Sequence, residues 1–166
     1  MNSITNTPIG VIHSPFTDPA DTPIQSIFAD GARGAVEVFP EYAAGLKDID
    51  GFSHLILIYH FHLAEGYSLI SKPFIGDIEK GIFSIRHPRR PNPIGISIVR
   101  LKNVRGNILE ICDVDILDGT PLLDIKPFVH QFDQRADIKS GWVDDQHIDE
   151  VKDKTPRALK GSLSKC

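Results

Sequence analysis

Apolar and small polar positions alternate along most of this chain, and that period of two predicts a mainly β protein. Pro8 to Ser14 reads as a first short strand, and Gly34 to Phe39 as a second, with Val36 and Val38 set against Glu37. Between them, Pro15 to Asp30 is rich in Pro, Asp and Thr and reads as an irregular loop. Pro40 to Lys47 reads as a short helix, with Pro40 suited to its first turn. The strongest strand runs from Phe52 to His62; Leu55 to Tyr59 is apolar on both parities, which predicts cover on both faces. Gly81 to Arg86 and Gly95 to Leu101 read as strands flanking a basic loop. Asn107 to Leu117 alternates again, Asp118-Gly119 signals a turn, and Leu122 to Val129 follows. Beyond Phe132 the chain turns polar, with a weak helix expected from Asp144 to Lys154. Many short strands and few helices predict a small closed or nearly closed β-barrel with short helices, not a Rossmann sheet. The barrel domain is placed at 1–139 and a partly helical C-terminal extension at 140–166.

Bulk properties narrow the reading a little. A chain of 166 residues can bury one core. The formal net charge of −4 speaks against a broadly basic nucleic-acid binder but leaves room for a local basic patch. Cys112 and Cys166 make neither a disulfide framework nor a metal-binding pair, so a cytoplasmic home is expected. No signal peptide and no membrane-length apolar run is read. GxGxxG, P-loop and GxSxG patterns are also missing, so a nucleotide or cofactor site would need another construction.

The densest chemistry lies in Arg86-His87-Pro88-Arg89-Arg90-Pro91-Asn92-Pro93-Ile94-Gly95. Proline fixes φ, and the residue before it is pushed out of the helical region. The loop is therefore stiff, and its three arginines form a preorganised anion-recognition surface. A plain solvated connection is the competing account. Asn92, held between two prolines, can read an adenine edge or a carboxylate. The second cluster, Asp113 to Pro121, offers backbone groups beside Gly119, although Asp118-Gly119 is also an ordinary hairpin signal. The third is His54, His60 and His62 on one strand face. His60 and His62 lie about 7 Å apart, which suits two ligands of one metal, while His54 is about 20 Å from His60. Satisfied or ligand-stacking histidines are the simpler reading, and no metal site is assigned. Gln25 and Ser26 sit in the first loop and mean little alone.

Several segments together resemble the family of tRNA N6-threonylcarbamoyladenosine methyltransferases, a β-barrel family. They are Ile9 to Phe16, Gly51 to Leu55, Gly81 to Phe83, Arg86, Arg90 to Gly95, Ser97, Asp118 to Pro121 and Asp124 to Pro127. The resemblance implies S-adenosylmethionine as methyl donor, bound near a homodimer interface, and tRNA as partner. The implied acceptor is N6 of threonylcarbamoyladenosine beside the anticodon. By position it implies cofactor contacts from Gln25, Ser26, Ile27, Phe61, His62, Arg86 and Arg90, with Ile116, Leu117, Asp118 and Gly119 holding the adenine side through backbone. Arg89, Asn92 and Arg105 are placed toward the substrate. Ile85-Arg86-His87 departs from the family's usual Thr-Arg-Ser.

Methyl transfer from a sulfonium is mainly a positioning task and needs no metal. A base should help, because the carbonyl on N6 makes the nitrogen a poor nucleophile with a more acidic N–H. His62, His87 and Asp118 are the candidates, and the residues do not choose among them. Arg86, Arg89, Arg90, Arg100, Lys102 and Arg105 are expected to supply the basic patch for RNA. The rival readings are the same cofactor with another RNA or small-molecule acceptor, a metal-dependent hydrolase using His60 and His62, and a non-catalytic sensor of S-adenosylmethionine.

Overall fold

A computed structural model of the chain describes residues 3–146 and 166. Eight strands form: β1 (Gly10–His13), β2 (Arg33–Val38), β3 (His54–His60), β4 (Ile70–Ser71), β5 (Lys80–Gly81), β6 (Ile94–Arg105), β7 (Ile108–Cys112) and β8 (Thr120–Pro127). Six of them close a barrel in the order β1-β2-β7-β6-β3-β8, every pair antiparallel. Closure leaves no open sheet edge around the ring. β4 and β5 form a separate two-stranded hairpin. Among the described residues, helical structure is limited to short 3-10 turns and one four-residue α-helix, α1 (His130–Asp133).

The alternation read from the sequence sets which side chains enter. Ile12, Val36, Val38, Leu55, Leu57, Val99, Leu109, Ile111 and Leu122 are essentially fully buried and pack as one core. β3 and β6 pair over seven residues, from His54 opposite Arg100 to His60 opposite Ile94.

Four expectations change. The outer face of β3 is not covered: Ile56 and Ile58 are half-buried, and their β6 neighbours Ile94, Ile96 and Ile98 are 42%, 49% and 42% exposed. Gly81 to Arg86 is not a strand beyond Gly81. It turns into a 3-10 segment, Ile82–Ser84, because Ile82 and Ile85 are the buried residues, and a spacing of three suits a 3-10 turn. β7 stops at Cys112 because Asp113 takes φ +64°, and Val114, Asp115 and Ile116 then run buried outside any strand. Finally, Cys112 and Cys166 form a disulfide with Cα atoms 6.3 Å apart. With the two cysteines paired, they no longer point to a reducing cytosol. The helix expected from Asp144 to Lys154 lies mostly outside the described residues; Asp144 to Gln146 is turn. Among the described residues, no helix is long and apolar enough to cross a membrane.

Candidate functional site

The inward positions change character at one end of the barrel. Along β3 they are Leu55, Leu57 and then Tyr59; along β6 they are Gly95, Ser97, Val99 and Leu101. The register sets Tyr59 opposite Gly95 and Leu57 opposite Ser97. The Tyr59 ring lies directly on Gly95, where a Cβ would sit 2.2 Å from the ring. Tyr59 Oη and Ser97 Oγ are 3.1 Å apart.

Above these residues opens a cavity of about 780 Å³, within the range of small-molecule sites. Four chain segments wall it. The first loop supplies Pro23, Ile24 and Gln25, and the end of β3 supplies Tyr59, Phe61 and His62. The arginine loop supplies Ile85 through Arg90, and the segment after β7 supplies Asp115, Ile116 and Leu117. Arg86 Nη1 donates to Gln25 Oε1 at 2.5 Å and ties the arginine loop to the first loop. Arg90 Nη1 donates to the carbonyls of Ile82 (3.1 Å) and Ile85 (2.6 Å), so this side chain braces its own loop from inside the wall. His87 stacks on Phe74 at 5.6 Å, and its Nδ1 accepts the Arg89 amide at 3.1 Å. That bond places the ring proton on Nε2. Partial burial, then the charges of Arg89 and Arg90, push the His87 pKa down and keep the ring neutral.

The residue that the sequence reading missed is Asp115. It is 9% exposed, and its Oδ1 has no hydrogen-bond partner among the described residues. Its carboxylate accepts from the Ser97 hydroxyl and from the backbone amides of Ser26 and Asp115 itself, and it feels the charge of Arg86. Burial outweighs these and pushes the pKa up to about 6. Ser97 thus lies between the Tyr59 phenol and the Asp115 carboxylate. The Tyr59 pKa is raised, first by burial and then by Asp115, which keeps that phenol protonated. The signal in the sequence was an acidic residue in an otherwise apolar run, Val114-Asp115-Ile116-Leu117, four residues before Gly119.

Of the expected site residues, Gln25, Phe61, His62, Arg86, Arg89, Arg90, Ile116 and Leu117 come together around this cavity. Ser26, Ile27, Asn92, Asp118 and Gly119 are not in its wall, and Ile27 is 77% exposed. The Asp118 and Gly119 amides are already taken by the carbonyls of Phe16 and Ile12, and the Asp118 carboxylate accepts the Ser14 amide. Arg105 stands at the far end of β6, about 36 Å of strand from Ile94, and pairs with Glu110 at 3.3 Å. The six basic residues therefore do not make one patch: Arg86, Arg89 and Arg90 ring the cavity, while Arg100, which pairs with Asp113 at 3.3 Å, Lys102 and Arg105 lie along β6 away from it. His62 is in the cavity wall and His60 is not. Among the described residues no group of three or more His, Cys, Asp or Glu is placed to hold a metal ion.

Comparison with known proteins follows this geometry. A family model described as the tRNA-methyltransferase O N-terminal domain matches residues 11–134. The chain is 58% identical over 137 residues to a "Probable S-adenosyl-L-methionine-binding protein" of Pyrococcus abyssi, covering 82% of this chain and 74% of that one. It is 28% identical over 175 residues to the human "tRNA (adenine(37)-N6)-methyltransferase", covering 96% of this chain and 40% of that protein. Among solved structures it matches TrmO from Pseudomonas aeruginosa with a TM-score of 0.72 and 36% identity, covering 87% of this chain. The chain spans 63% of that solved chain.

Proposed function

The chain belongs to the tRNA-methyltransferase O N-terminal domain family, and we propose that it is an S-adenosylmethionine-dependent methyltransferase acting on N6 of an adenine beside the tRNA anticodon. The observation that carries the reading is the cavity at the barrel's polar end, which joins apolar walls, arginines and the buried carboxylate of Asp115. These features suit a ligand with a planar base, a carboxylate and positive charge. Ile116, Leu117 and Phe61 would hold its flat apolar part, and Arg86 its carboxylate. When bound, the cofactor supplies an electrophilic methyl group on a sulfonium.

The finer reading is that the adenine already carries the threonylcarbamoyl group. Its carboxylate needs a cation at the cavity mouth. Arg89 lines the cavity, is exposed, and its guanidinium has no partner among the described residues. Arg86 is assigned to the cofactor's carboxylate and Arg105 is remote, which favours Arg89. A site built to pair a carboxylate rejects a substrate without it. The uncovered outer face, Ile56 and Ile58 beside Ile94, Ile96 and Ile98, supports a homodimer. Ile94 and Ile96 also line the cavity, so that interface would border the site. Working on tRNA, the enzyme would act in the cytoplasm.

The test is methyl transfer from labelled S-adenosylmethionine to tRNA with and without threonylcarbamoyladenosine. Transfer to the modified tRNA alone is expected, and Arg89→Ala should raise its KM about tenfold or more, the worth of a charge-assisted bond. Equal labelling of both tRNAs would refute the threonylcarbamoyl acceptor.

A further inference from the structure

Methylating a carbamoylated nitrogen requires a group that takes its proton, and the structure discriminates among the acids and bases near the cavity. His87 already spends Nδ1 on the Arg89 amide and is clamped against Phe74. Asp118 faces Ser14 outside the cavity wall. His62 is exposed at the rim. Among the acids and histidines in the cavity wall, Asp115 alone is buried. The Ser97 hydroxyl and the Ser26 amide both favour its charged form.

We propose that Asp115 is the catalytic base, accepting the N6 proton of the carbamoylated adenine on its carboxylate as the methyl group is transferred, with Ser97 and Tyr59 as positioning residues behind it. The inference rests on the methyltransferase reading above. As the N6–CH3 bond forms, the donor's S–CH3 bond breaks and leaves its electron pair on sulfur. The N6–H bond breaks as well, and its proton goes to the Asp115 carboxylate. Nitrogen, sulfur and carboxyl all finish neutral, and the proton leaves to solvent with the products. The groups that face this carboxylate are the phenol of Tyr59 from β3, the guanidinium of Arg86 from the arginine loop, the Ser97 hydroxyl from β6 and the Ser26 amide from the first loop. Of these, Tyr59 is held protonated by burial and by Asp115 itself. The acid limb of the rate therefore belongs to Asp115, and it lies close to neutrality, where a base is most useful.

The experiment compares wild type, Asp115→Asn and Ser97→Ala in single-turnover methyl transfer to threonylcarbamoyl-tRNA from pH 5 to 9, with donor affinity measured separately by calorimetry. Asp115→Asn should slow transfer by about 10²–10⁴-fold, the usual worth of a general base. The loss should persist at saturating donor, and the acid limb near pH 6 should disappear. Ser97→Ala should move that limb to higher pH, because the carboxylate loses a donor. A readout without cofactor or substrate is the carboxyl carbon-13 titration of Asp115 in the free protein, expected near 6. The proposal is overturned if Asp115→Asn keeps its rate within threefold, if its defect vanishes at saturating donor, or if Asp115 titrates in the ordinary carboxylate range. If wild type methylates a different acceptor nitrogen, the acceptor assigned above falls, and the same Asp115→Asn comparison on that acceptor still decides the base.

Discussion

The two ends of the barrel are built from the same strands and differ only in what the inward positions carry. At one end β3 and β6 send in Leu55, Val99 and Leu101, and the interior is apolar. At the other end the next inward positions are Tyr59, Ser97 and Gly95, and the segment after β7 adds Asp115. The alternation of the backbone is identical in both halves. A site has been made here by exchanging a few side chains within a continuous period-two pattern. The apolar end is stabilised by burial; the polar end carries a carboxylate whose burial costs stability and gives it a proton affinity suited to chemistry.

That contrast can be broken from either side. The largest effect belongs to the apolar end. Leu55→Ala should cost about 2–5 kcal/mol in urea unfolding, through lost burial and the cavity left behind. Its effect on transfer by the folded fraction should be small. At the polar end the sign reverses. The Asp115 pKa is raised from 3.8 to about 6 on folding, so the wild-type protein binds more protons than its unfolded chain between those values. It then loses stability as pH rises through that window. Relative to wild type, Asp115→Asn should therefore gain nothing below pH 3.8 and up to about 3 kcal/mol above pH 7. Urea midpoints at pH 4, 6 and 8 test this, and a flat difference would show that Asp115 carries no burial penalty.

A third, smaller effect sharpens the boundary between the two ends. Gly95→Ala places a Cβ against the Tyr59 ring and should cost about 1–3 kcal/mol, as overpacking does. Because the ring must move, its hydroxyl leaves Ser97, and transfer should fall more than stability alone explains. The smallest effect is expected at Arg105, whose exposed pair with Glu110 is worth at most about 1 kcal/mol. Arg105→Ala should leave stability, donor binding and transfer within twofold, in contrast to Arg89→Ala. A large loss of tRNA affinity in Arg105→Ala would extend the RNA surface along the whole of β6.

The sequence by itself determined the barrel and much of its wall. The alternation in β1, β2, β3, β6, β7 and β8 is a local property, since neighbouring side chains on a strand point to opposite faces whatever they later meet. The arginine loop was legible for a similar reason, because proline restricts the backbone without help from distant residues. What the tertiary structure alone decided is which distant residues converge. Asp115, Ser97 and Tyr59 are separated by 18 and 38 residues, and nothing local marks them as partners. Register across β3 and β6, together with the turn of the chain at Asp113, brings them to one end of the barrel. The same register carries Arg100 and Arg105 away from the arginine loop, although they follow it closely in the chain. The pairing of Cys112 with Cys166 is equally nonlocal. Periodicity reports which face a residue occupies; only strand pairing reports what stands beside it, and the chemistry of this site depends on the second.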